Sequence, residues 1–257
     1  KSLKILYKKR ALIKKCAKDN DGDIIISTTL AFDQLFSKYQ KNKLLIAWEH
    51  CHPDCQKNYP KKVYKAVKFD LFIPVSKSIN EFYKEYLTGP QCMYLPLCID
   101  KVDHEDAKLD TNQVTVMGRL SSEKAYDDML RVFVKVLEQN PSAHLNIVGD
   151  GEERHNLSVL ADRLGIADSV TFYGNKVGKE KSQILENTSV FVTTSHYESF
   201  GLVLLEAMDY GIPCLSFDSA KGSLDIIEDG KDGYIDYGFQ ANTNGKTTTG
   251  YYLRKYL

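Results

Sequence analysis

Short apolar runs alternate with longer stretches in which apolar residues recur every three or four positions. This alternation is typical of repeated strand–helix units that build a parallel β-sheet. The short runs predict strands at 23–27, 44–48, 70–76, 114–118, 144–149, 169–174, 189–195 and 213–217. The periodic stretches predict helices at about 30–41, 60–68, 77–87, 123–139, 152–164, 179–186, 201–210 and 221–228.

The charged segment LCIDKVDHEDAKLDTNQ, residues 97–113, has no apolar periodicity and precedes a new strand. We therefore expect two α/β domains with parallel sheets, residues 1–110 and 111–257. The length agrees, because single cores rarely extend beyond roughly 250–300 residues. Open parallel sheets bind ligands beyond the carboxyl ends of their strands, so the loops that follow the strands are the first places to look for function.

Composition indicates a globular protein, with 43% hydrophobic and 26% charged residues. The sequence has no apolar stretch of about 20 residues, as a spanning helix needs, and no apolar signal-peptide core. We expect a cytoplasmic protein. The six cysteines are scattered, unlike the dense disulfide set of a small secreted domain, so we expect reduced thiols.

Charge is unevenly distributed, with 20 basic against 14 acidic residues in 1–110 and 14 against 20 in 111–257. Much of the basic excess lies in KSLKILYKKRALIKKCAK, whose apolar positions form one helical stripe. This pattern fits a helix packed on the core with a solvated lysine face, or a peripheral helix at an anionic inner membrane face. Basic and aromatic residues do not interleave as in nucleic-acid-binding motifs, so we expect no nucleic-acid partner.

The segment SHYESFGLVLLEAMDYGIPCLSF, residues 195–217, carries the most specific chemistry. A strand leads into a short loop with Glu198, and then into a helix that contains Glu206. The free N–H groups at the start of that helix form an anion site. The two carboxylates would repel an anion but suit hydroxyl groups. A sugar linked to a diphosphate would satisfy both kinds of group.

This E-x7-E arrangement resembles the signature of glycosyltransferase family 4, the retaining group 1 glycosyl transferases of GT-B fold. VMGRLSSEKAYDDML and the residues that follow it to Asn175 resemble the donor-binding half of that family. DSAKGSLDIIEDGKDGYI, residues 218–235, resembles the next segment. The resemblance covers residues 112–236 and implies two Rossmann-like domains facing a cleft.

The resemblance also implies residue roles. Arg119 and Lys124 match the basic pair of G-R-L-x-x-E-K-G, which neutralises the nucleotide diphosphate, and Ala125 replaces the usual final glycine. Glu198 matches the glutamate beside the donor sugar, and Glu206 matches the one that receives the ribose hydroxyls. The other substrate-binding candidates are Gly118, Gly149, Asp150, Tyr173, Gly174, Ser199, Phe200, Gly201 and Leu202.

The cluster IAWEHCHPDC has three interpretations, one of which is that its histidines are ordinary core or surface residues. It resembles the place where the family has a histidine after a strand, ahead of a D-x5-S segment that matches 70–76 here, which makes His50 a catalytic candidate and His52 a second choice. The third interpretation is a metal module of His50, Cys51, His52 and Cys55. Ligands this close together would strain a tetrahedral site, whose ligands usually come as separated pairs.

The resemblance implies a UDP-sugar donor, transfer with retention, and a glycan or lipid-linked acceptor. We expect no cofactor and no metal, because no D-x-D pair follows a suitable strand and the two cations with the helix start can stabilise the diphosphate. The alternatives are a nucleotide-sugar epimerase and a non-catalytic nucleotide-sugar-binding subunit. The family's first strand and glycine-rich loop have no counterpart before Asp23, so we expect a fragment or a reduced acceptor domain.

Overall fold

The computed structural model describes residues 2–19, 22–28, 36–39, 42–52, 69–84, 87 and 91–236. The chain divides into two compact units, residues 1–97 and 98–257. Each unit contains a sheet whose paired strands run parallel. The predicted class of two α/β domains with parallel sheets is therefore confirmed.

The first unit contains a four-stranded sheet in the order β1-β2-β3-β4. Its elements are α1 (Ser2–Asp19), β1 (Ile24–Ser27), β2 (Leu44–Glu49), β3 (Leu71–Pro74), α2 (Lys77–Lys84) and β4 (Gln91–Cys92). The predicted helix at 60–68 and most of that at 30–41 lie outside the described residues. The short strand β4 was not predicted.

Helix α2 is fixed at its start and along its inner face. The Ser76 hydroxyl accepts a hydrogen bond from the Ile79 amide at 3.3 Å, which satisfies one of the free N–H groups of the first turn. Further along, the Tyr83 ring lies 4.7 Å from the Phe72 ring of β3, centroid to centroid. Both rings are fully buried, so this contact attaches α2 to the sheet.

Helix α1 covers the basic amphipathic stretch. Ile13 is buried and Leu12 is exposed, as expected for a helix that presents only one face to the protein. Within the part of the chain that the structure describes, no helix has both the length and the apolar character needed to cross a bilayer.

The second unit contains a six-stranded sheet in the order β10-β9-β8-β5-β6-β7. Its strands are β5 (Gln113–Met117), β6 (His144–Val148), β7 (Val170–Gly174), β8 (Val190–Thr193), β9 (Cys214–Phe217) and β10 (Gly233–Asp236). Its helices are α3 (Tyr126–Leu137), α4 (Arg154–Arg163), α5 (Gly178–Leu185) and α6 (Leu202–Asp209). The strand order reverses between β5 and β8, which creates a switch point where the loops after these strands flank a crevice.

One face of β5, β6 and β7 packs against α3 and α4 through a continuous apolar cluster. Helix α3 contributes Met129, Leu130 and Phe133, which are fully buried. Removing a buried phenylalanine ring costs about 3–5 kcal/mol. This cluster therefore makes β5 and β6 a rigid base for the loops at their carboxyl ends.

Three local predictions differ from the structure. The helix predicted at 123–139 is divided into a 3-10 turn (Ser122–Lys124) and α3, because Ala125 has a left-handed backbone at φ 50° and ψ 42°. The helix predicted at 221–228 is a 3-10 turn over Lys221–Asp225. Strand β10 was not predicted.

The segment 98–110 belongs to the second compact unit, although the sequence boundary assigned it to the first domain. The Ala107 amide donates to the Tyr210 carbonyl at 2.9 Å. The His104 ring stacks on the Tyr210 ring with centroids 3.6 Å apart, and its Nε2 lies 2.9 Å from Asp209. These contacts hold an aperiodic, charged segment in place, and periodicity alone could not reveal them.

Candidate functional site

The loops after β5 and β8 are joined at the switch point. Lys124 Nζ lies 2.7 Å from Glu198 Oε2. The Thr194 hydroxyl donates to the Lys124 carbonyl at 2.9 Å, and the His196 amide donates to the Glu123 carbonyl at 2.9 Å. These contacts hold together two loops that are separated by about 70 residues of chain.

The Lys124–Glu198 pair is mostly shielded from solvent, with side-chain exposures of 23% and 17%. Tyr126 is buried beside it, and burial, followed by the negative charge of Glu198, raises the pKa of the phenol. A Cβ added at Gly118 would lie 3.0 Å from the Tyr126 hydroxyl. Lys124, at 2.7 Å, is therefore the charge that compensates Glu198.

Arg119 lies at the start of the loop after β5 and is exposed. Within residues 91–236 it has no ion-pair partner. Partial burial raises the pKa of Glu123, but hydrogen bonding and the positive charges of Arg119 and Lys124 outweigh burial and lower it overall. The loop therefore has a positive local field and a cation available for an anion.

The glycine-rich loop after β6 packs against its neighbours on both sides. The Gly149 amide donates to the Gly174 carbonyl at 2.9 Å, and the Asp150 carbonyl accepts from the Leu120 amide at 3.0 Å. Gly149 has φ +136°, and a Cβ there would overlap the Gly118 carbonyl oxygen. Gly149 therefore has a structural reason to be glycine, namely the close approach of two loops.

Helix α6 begins directly after Gly201, which has φ +100°. The first-turn amides of a helix have no partner within it and carry its positive end. Among the substrate-binding candidates Ser199, Phe200, Gly201 and Leu202, the amide of Ser199 is already used, because it donates to Glu198 Oε1 at 3.1 Å. Phe200 is buried and Leu202 is exposed, so the chain turns from core to surface at this point.

Glu206 forms an ion pair with Lys181 of α5, Nζ to Oε1, at 3.0 Å. About a quarter to a third of each side chain is exposed, 27% and 29%. The Tyr210 hydroxyl donates to Ser182 at 2.9 Å and further joins α6 to α5. Sequence reasoning missed Lys181, because nothing in a local pattern links residues 25 positions apart.

The end of β7 brings Tyr173 and Gly174 to the edge of the sheet. Tyr173 is 38% exposed. Arg154, the first residue of α4, donates to the Phe172 carbonyl at 3.3 Å, and its guanidinium lies 6.0 Å from the Phe172 ring centroid. The arginine therefore connects the start of α4 to β7.

His50 belongs to the first unit and directly follows β2. Its ring lies 5.1 Å from that of Trp48, and burial lowers its pKa, so the neutral imidazole is favoured. The preceding Glu49 accepts from the Cys51 amide at 2.9 Å and lies 3.5 Å from the Tyr83 hydroxyl. Burial is the main reason why the pKa of Glu49 rises to about 7.

The metal reading of the same cluster receives no support from the residues that can be described. His52 is buried and packs its ring edge-on against Phe82 at 6.0 Å, while Cys55 lies outside the described residues. Across the described ranges, no three His, Cys, Asp or Glu side chains converge as a metal-binding group.

Two named enzymes are similar to this chain. Lipopolysaccharide 1,6-galactosyltransferase of Salmonella typhimurium is 28% identical over 230 residues, which cover 85% of this chain and 62% of the relative. The GtfA subunit of UDP-N-acetylglucosamine–peptide N-acetylglucosaminyltransferase of Streptococcus gordonii is 26% identical over 253 residues, 90% of this chain and 49% of the relative. The chain therefore spans only about half to three fifths of these relatives' length.

Solved structures share the fold. The apo form of the lipopolysaccharide outer core galactosyltransferase WaaB superposes with a TM-score of 0.71 at 25% identity, covering 92% of this chain and 69% of that one. TarM superposes with a TM-score of 0.75 at 20% identity, covering 88% of this chain and 48% of that one. This second likeness concerns the fold alone.

The family model described as "Glycosyl transferases group 1" matches residues 100–241. That range exceeds half of the chain and contains the crevice at the switch point, both ion pairs and the start of α6. The chain therefore belongs to the family of group 1 glycosyl transferases.

Proposed function

We propose that this protein transfers a hexose or N-acetylhexosamine from a UDP-sugar to a glycan or lipid-linked acceptor, with retention at the anomeric carbon. One observation carries the proposal: the Lys124–Glu198 pair adjoins the start of α6 at the switch point of a group 1 glycosyl transferase sheet. The names of the two relatives, a galactosyltransferase and a UDP-N-acetylglucosamine-dependent enzyme, support the donor class.

The cations act on the leaving group. When the bond between the anomeric carbon and the phosphate oxygen breaks, its electron pair remains on the diphosphate. Lys124 and Arg119, together with the first-turn amides of α6, stabilise that charge where it develops. Arg119 is suited to this role because it is exposed and because a guanidinium can bind phosphate oxygens with two hydrogen bonds.

The two glutamates of the motif have different roles toward the donor. Lys181 contacts Oε1 of Glu206, so we assign Oε2 to a ribose hydroxyl. Glu198 uses Oε1 for the Ser199 amide and Oε2 for Lys124. Its role is therefore to fix Lys124 and the start of α6 beside the sugar.

Retention follows if the acceptor hydroxyl attacks from the face that the diphosphate leaves. The new bond joins the acceptor oxygen to the anomeric carbon, and the acceptor proton passes to the departing phosphate oxygen, so no side chain has to act as a strong base. We propose that His50 binds substrate as a neutral imidazole, a role that its lowered pKa favours.

We further propose that transfer needs no metal ion, because Arg119, Lys124 and the helix start supply the positive charge that a divalent cation would otherwise provide. Activity should persist in a chelator and should not rise on addition of Mg²⁺ or Mn²⁺. A strict requirement for either ion would overturn this part of the proposal.

A peripheral membrane contact through α1 is proposed on its charge alone. The helix has seven lysines and arginines among its 18 residues, which suits anionic lipid. Co-sedimentation with vesicles of anionic lipid, but not with neutral vesicles, would support it. Equal binding to both would contradict it, and no binding at all would leave α1 as a helix packed on the core.

The function is tested by a donor screen with several UDP- and GDP-sugars, measuring thermal stabilisation and donor hydrolysis. UDP-sugars should stabilise the wild type, and Glu206→Gln should reduce this effect by weakening the ribose contact. Glu138→Gln, which alters an exposed Lys135–Glu138 pair, is the matched control. A flat response to all donors would refute the assignment. An epimerised donor would indicate an epimerase, and binding without transfer would indicate a non-catalytic subunit.

A further inference from the structure

The second sheet has two faces of opposite character along β5, β6 and β7. Val114, Val116, Leu145 and Ile147 face the apolar cluster with α3 and α4. Side chains alternate between faces along a strand, and most of the alternate positions are polar, namely Gln113, Thr115, His144, Asn146, Thr171 and Tyr173. Met117 and Val148, near the carboxyl ends of β5 and β6, are apolar. A parallel sheet is normally apolar on both faces, so the polar face is a departure that calls for an explanation.

A groove of about 560 Å³ runs along this polar face, with α5 as its other wall. Gln113, Asn146 and Tyr173 line the sheet side. Gln183 and Asn187 of the α5 segment line the helix side, and both are exposed. The groove therefore has amide groups on two walls and one aromatic ring.

The floor of the groove has unused hydrogen-bonding capacity. Asn146 is 3% exposed, and its Nδ2 donates to Gln113 at 3.1 Å and to Thr115 at 3.4 Å. Its Oδ1 has no partner, and a reversed amide would leave Nδ2 unpaired instead. The floor of the groove is therefore lined by polar side chains, Gln113 and Asn146, and not by an apolar layer.

The charges of the lining residues indicate which ligands the groove can bind. Among the described residues that line the groove, the charged ones are Lys176 and Glu180, which pair with each other at 2.6 Å. No lining cation is therefore left for a phosphate. Amides donate and accept hydrogen bonds equally, and the Tyr173 ring offers a flat apolar surface. Neutral hydroxyl groups on a ring with an apolar face match this lining.

We propose that the groove between α5 and the polar face of β5–β7 is a saccharide-binding site, separate from the donor crevice, that holds a neutral pyranose unit of a glycan. The ring of the sugar stacks on Tyr173, and its hydroxyls bond to the amides of Gln183, Asn187 and Gln113. The site would hold a glycan chain on the enzyme independently of the nucleotide.

The test follows backbone amide shifts of the isotope-labelled full chain during titration with methyl pyranosides of glucose, galactose and N-acetylglucosamine. At least one glycoside should shift the amides of 173–187 in a saturable manner. UDP, added in excess, should shift the amides of 198–202 and leave glycoside binding intact. Failure of UDP to bind would count against the proposed donor site but not against the groove.

The double variant Gln183→Leu/Asn187→Leu removes two exposed amides from the helix wall. It should weaken glycoside binding at least about tenfold, because two hydrogen bonds are lost. Ser158→Leu/Asp162→Leu, two exposed positions of α4 with the same spacing, should bind as the wild type does. Wild-type melting temperatures for both variants would exclude a folding defect. Tyr173→Ala should weaken glycoside binding independently, because it removes the ring on which the sugar stacks.

Four results would overturn the proposal. They are no glycoside shift at 173–187, an equal shift with glycerol, unchanged binding by the Gln183→Leu/Asn187→Leu variant, and displacement of the glycoside by UDP or by uridine. The last result would assign the groove to the nucleobase.

Discussion

Two glutamates, one in each unit, lie at or beyond the carboxyl ends of parallel strands, and their electrostatic surroundings are opposite. Glu49 ends β2, is 4% exposed, and has no cation within ion-pair distance among the described residues. Glu198 follows β8 and has Lys124 at 2.7 Å. Burial therefore raises the pKa of Glu49 to about 7, whereas Glu198 is compensated by a fixed positive charge.

The difference teaches what each carboxylate can do. Glu49 carries hydrogen bonds from the Cys51 amide and Tyr83, so it organises the residues around His50 and changes charge near neutral pH. Glu198 holds a cation and an amide in fixed positions, which is the preorganisation that an electrostatic site needs. Glu49 is thus a structural group that titrates, and Glu198 is one half of a fixed ion pair.

The largest expected effect comes from breaking the compensated pair. Lys124→Met and Glu198→Gln should each lower kcat/KM for transfer by about two to three orders of magnitude, as loss of one preorganised donor does. The double variant should be little worse than either single variant, because the two groups act as one unit. Steady-state kinetics with a UDP-sugar measures all three.

A matched pair on the surface provides the control for that experiment. Lys231 and Glu228 form an ion pair in the same unit but are 71% and 65% exposed, so Lys231→Met should leave kcat/KM unchanged. If Lys124→Met retained wild-type activity, the contrast between the two glutamates would have no catalytic meaning.

The second effect concerns the uncompensated glutamate and the pH dependence of unfolding. Glu49 has a folded pKa of about 7 against an ordinary value of 4.5, so the folded state binds more protons between these values. Its contribution is full below pH 4.5 and is lost as the pH rises to about 7. At about 1.4 kcal/mol per pKa unit, the loss approaches about 3 kcal/mol.

Glu49→Gln should remove this fall and make the first unit more stable than the wild type at alkaline pH. The single tryptophan, Trp48, lies beside Glu49 on β2, so its fluorescence during urea unfolding reports this unit directly. Glu81→Gln, an exposed acid on α2, should keep the wild-type pH profile. If the stability of the wild type and of Glu49→Gln changed with pH in the same way, Glu49 would not be the group that titrates.

A third experiment tests whether the Glu198 loop depends on its surroundings. Gly222 donates its amide to the Glu198 carbonyl at 3.0 Å, and a Cβ there would overlap the backbone of Ser199 and Phe200. Gly222→Ala should therefore cost about 1–3 kcal/mol and weaken UDP binding. Gly165→Ala, which has φ +70° but open space around it, should lose about 1 kcal/mol from strain and bind UDP normally.

The sequence predicted what depends on local pattern. The alternation in VTVMG and the apolar run SVFVTTS identify β5 and β8, and the loops after them were expected to carry function because parallel strands end at one edge. The pairing of Glu206 with Lys181 was not predicted, because it depends on how α5 and α6 pack. Residues such as Asn146 read as ordinary strand positions until the groove beside them is known.

Ala125 was identified from the sequence as a departure from the expected glycine, but its effect requires the backbone. It has a left-handed conformation, φ 50° and ψ 42°, and is 1% exposed. That conformation costs an alanine about 1–2 kcal/mol, whereas glycine adopts it freely but loses about 0.4–1 kcal/mol through the unfolded chain. These two contributions largely cancel, so replacing Ala125 by glycine should have the smallest effect on the free energy of unfolding.

Ala125→Gly should change the free energy of unfolding by less than about 1 kcal/mol and leave the Lys124–Glu198 pair intact. Ala125→Val should cost far more, because a β-branched residue tolerates a positive φ poorly. Urea unfolding of the two variants, with kcat/KM for each, gives the comparison. A glycine inside a right-handed helix lowers stability. If Ala125→Gly showed such a loss, residue 125 would not be left-handed, and this backbone turn could not be what holds Lys124 beside Glu198.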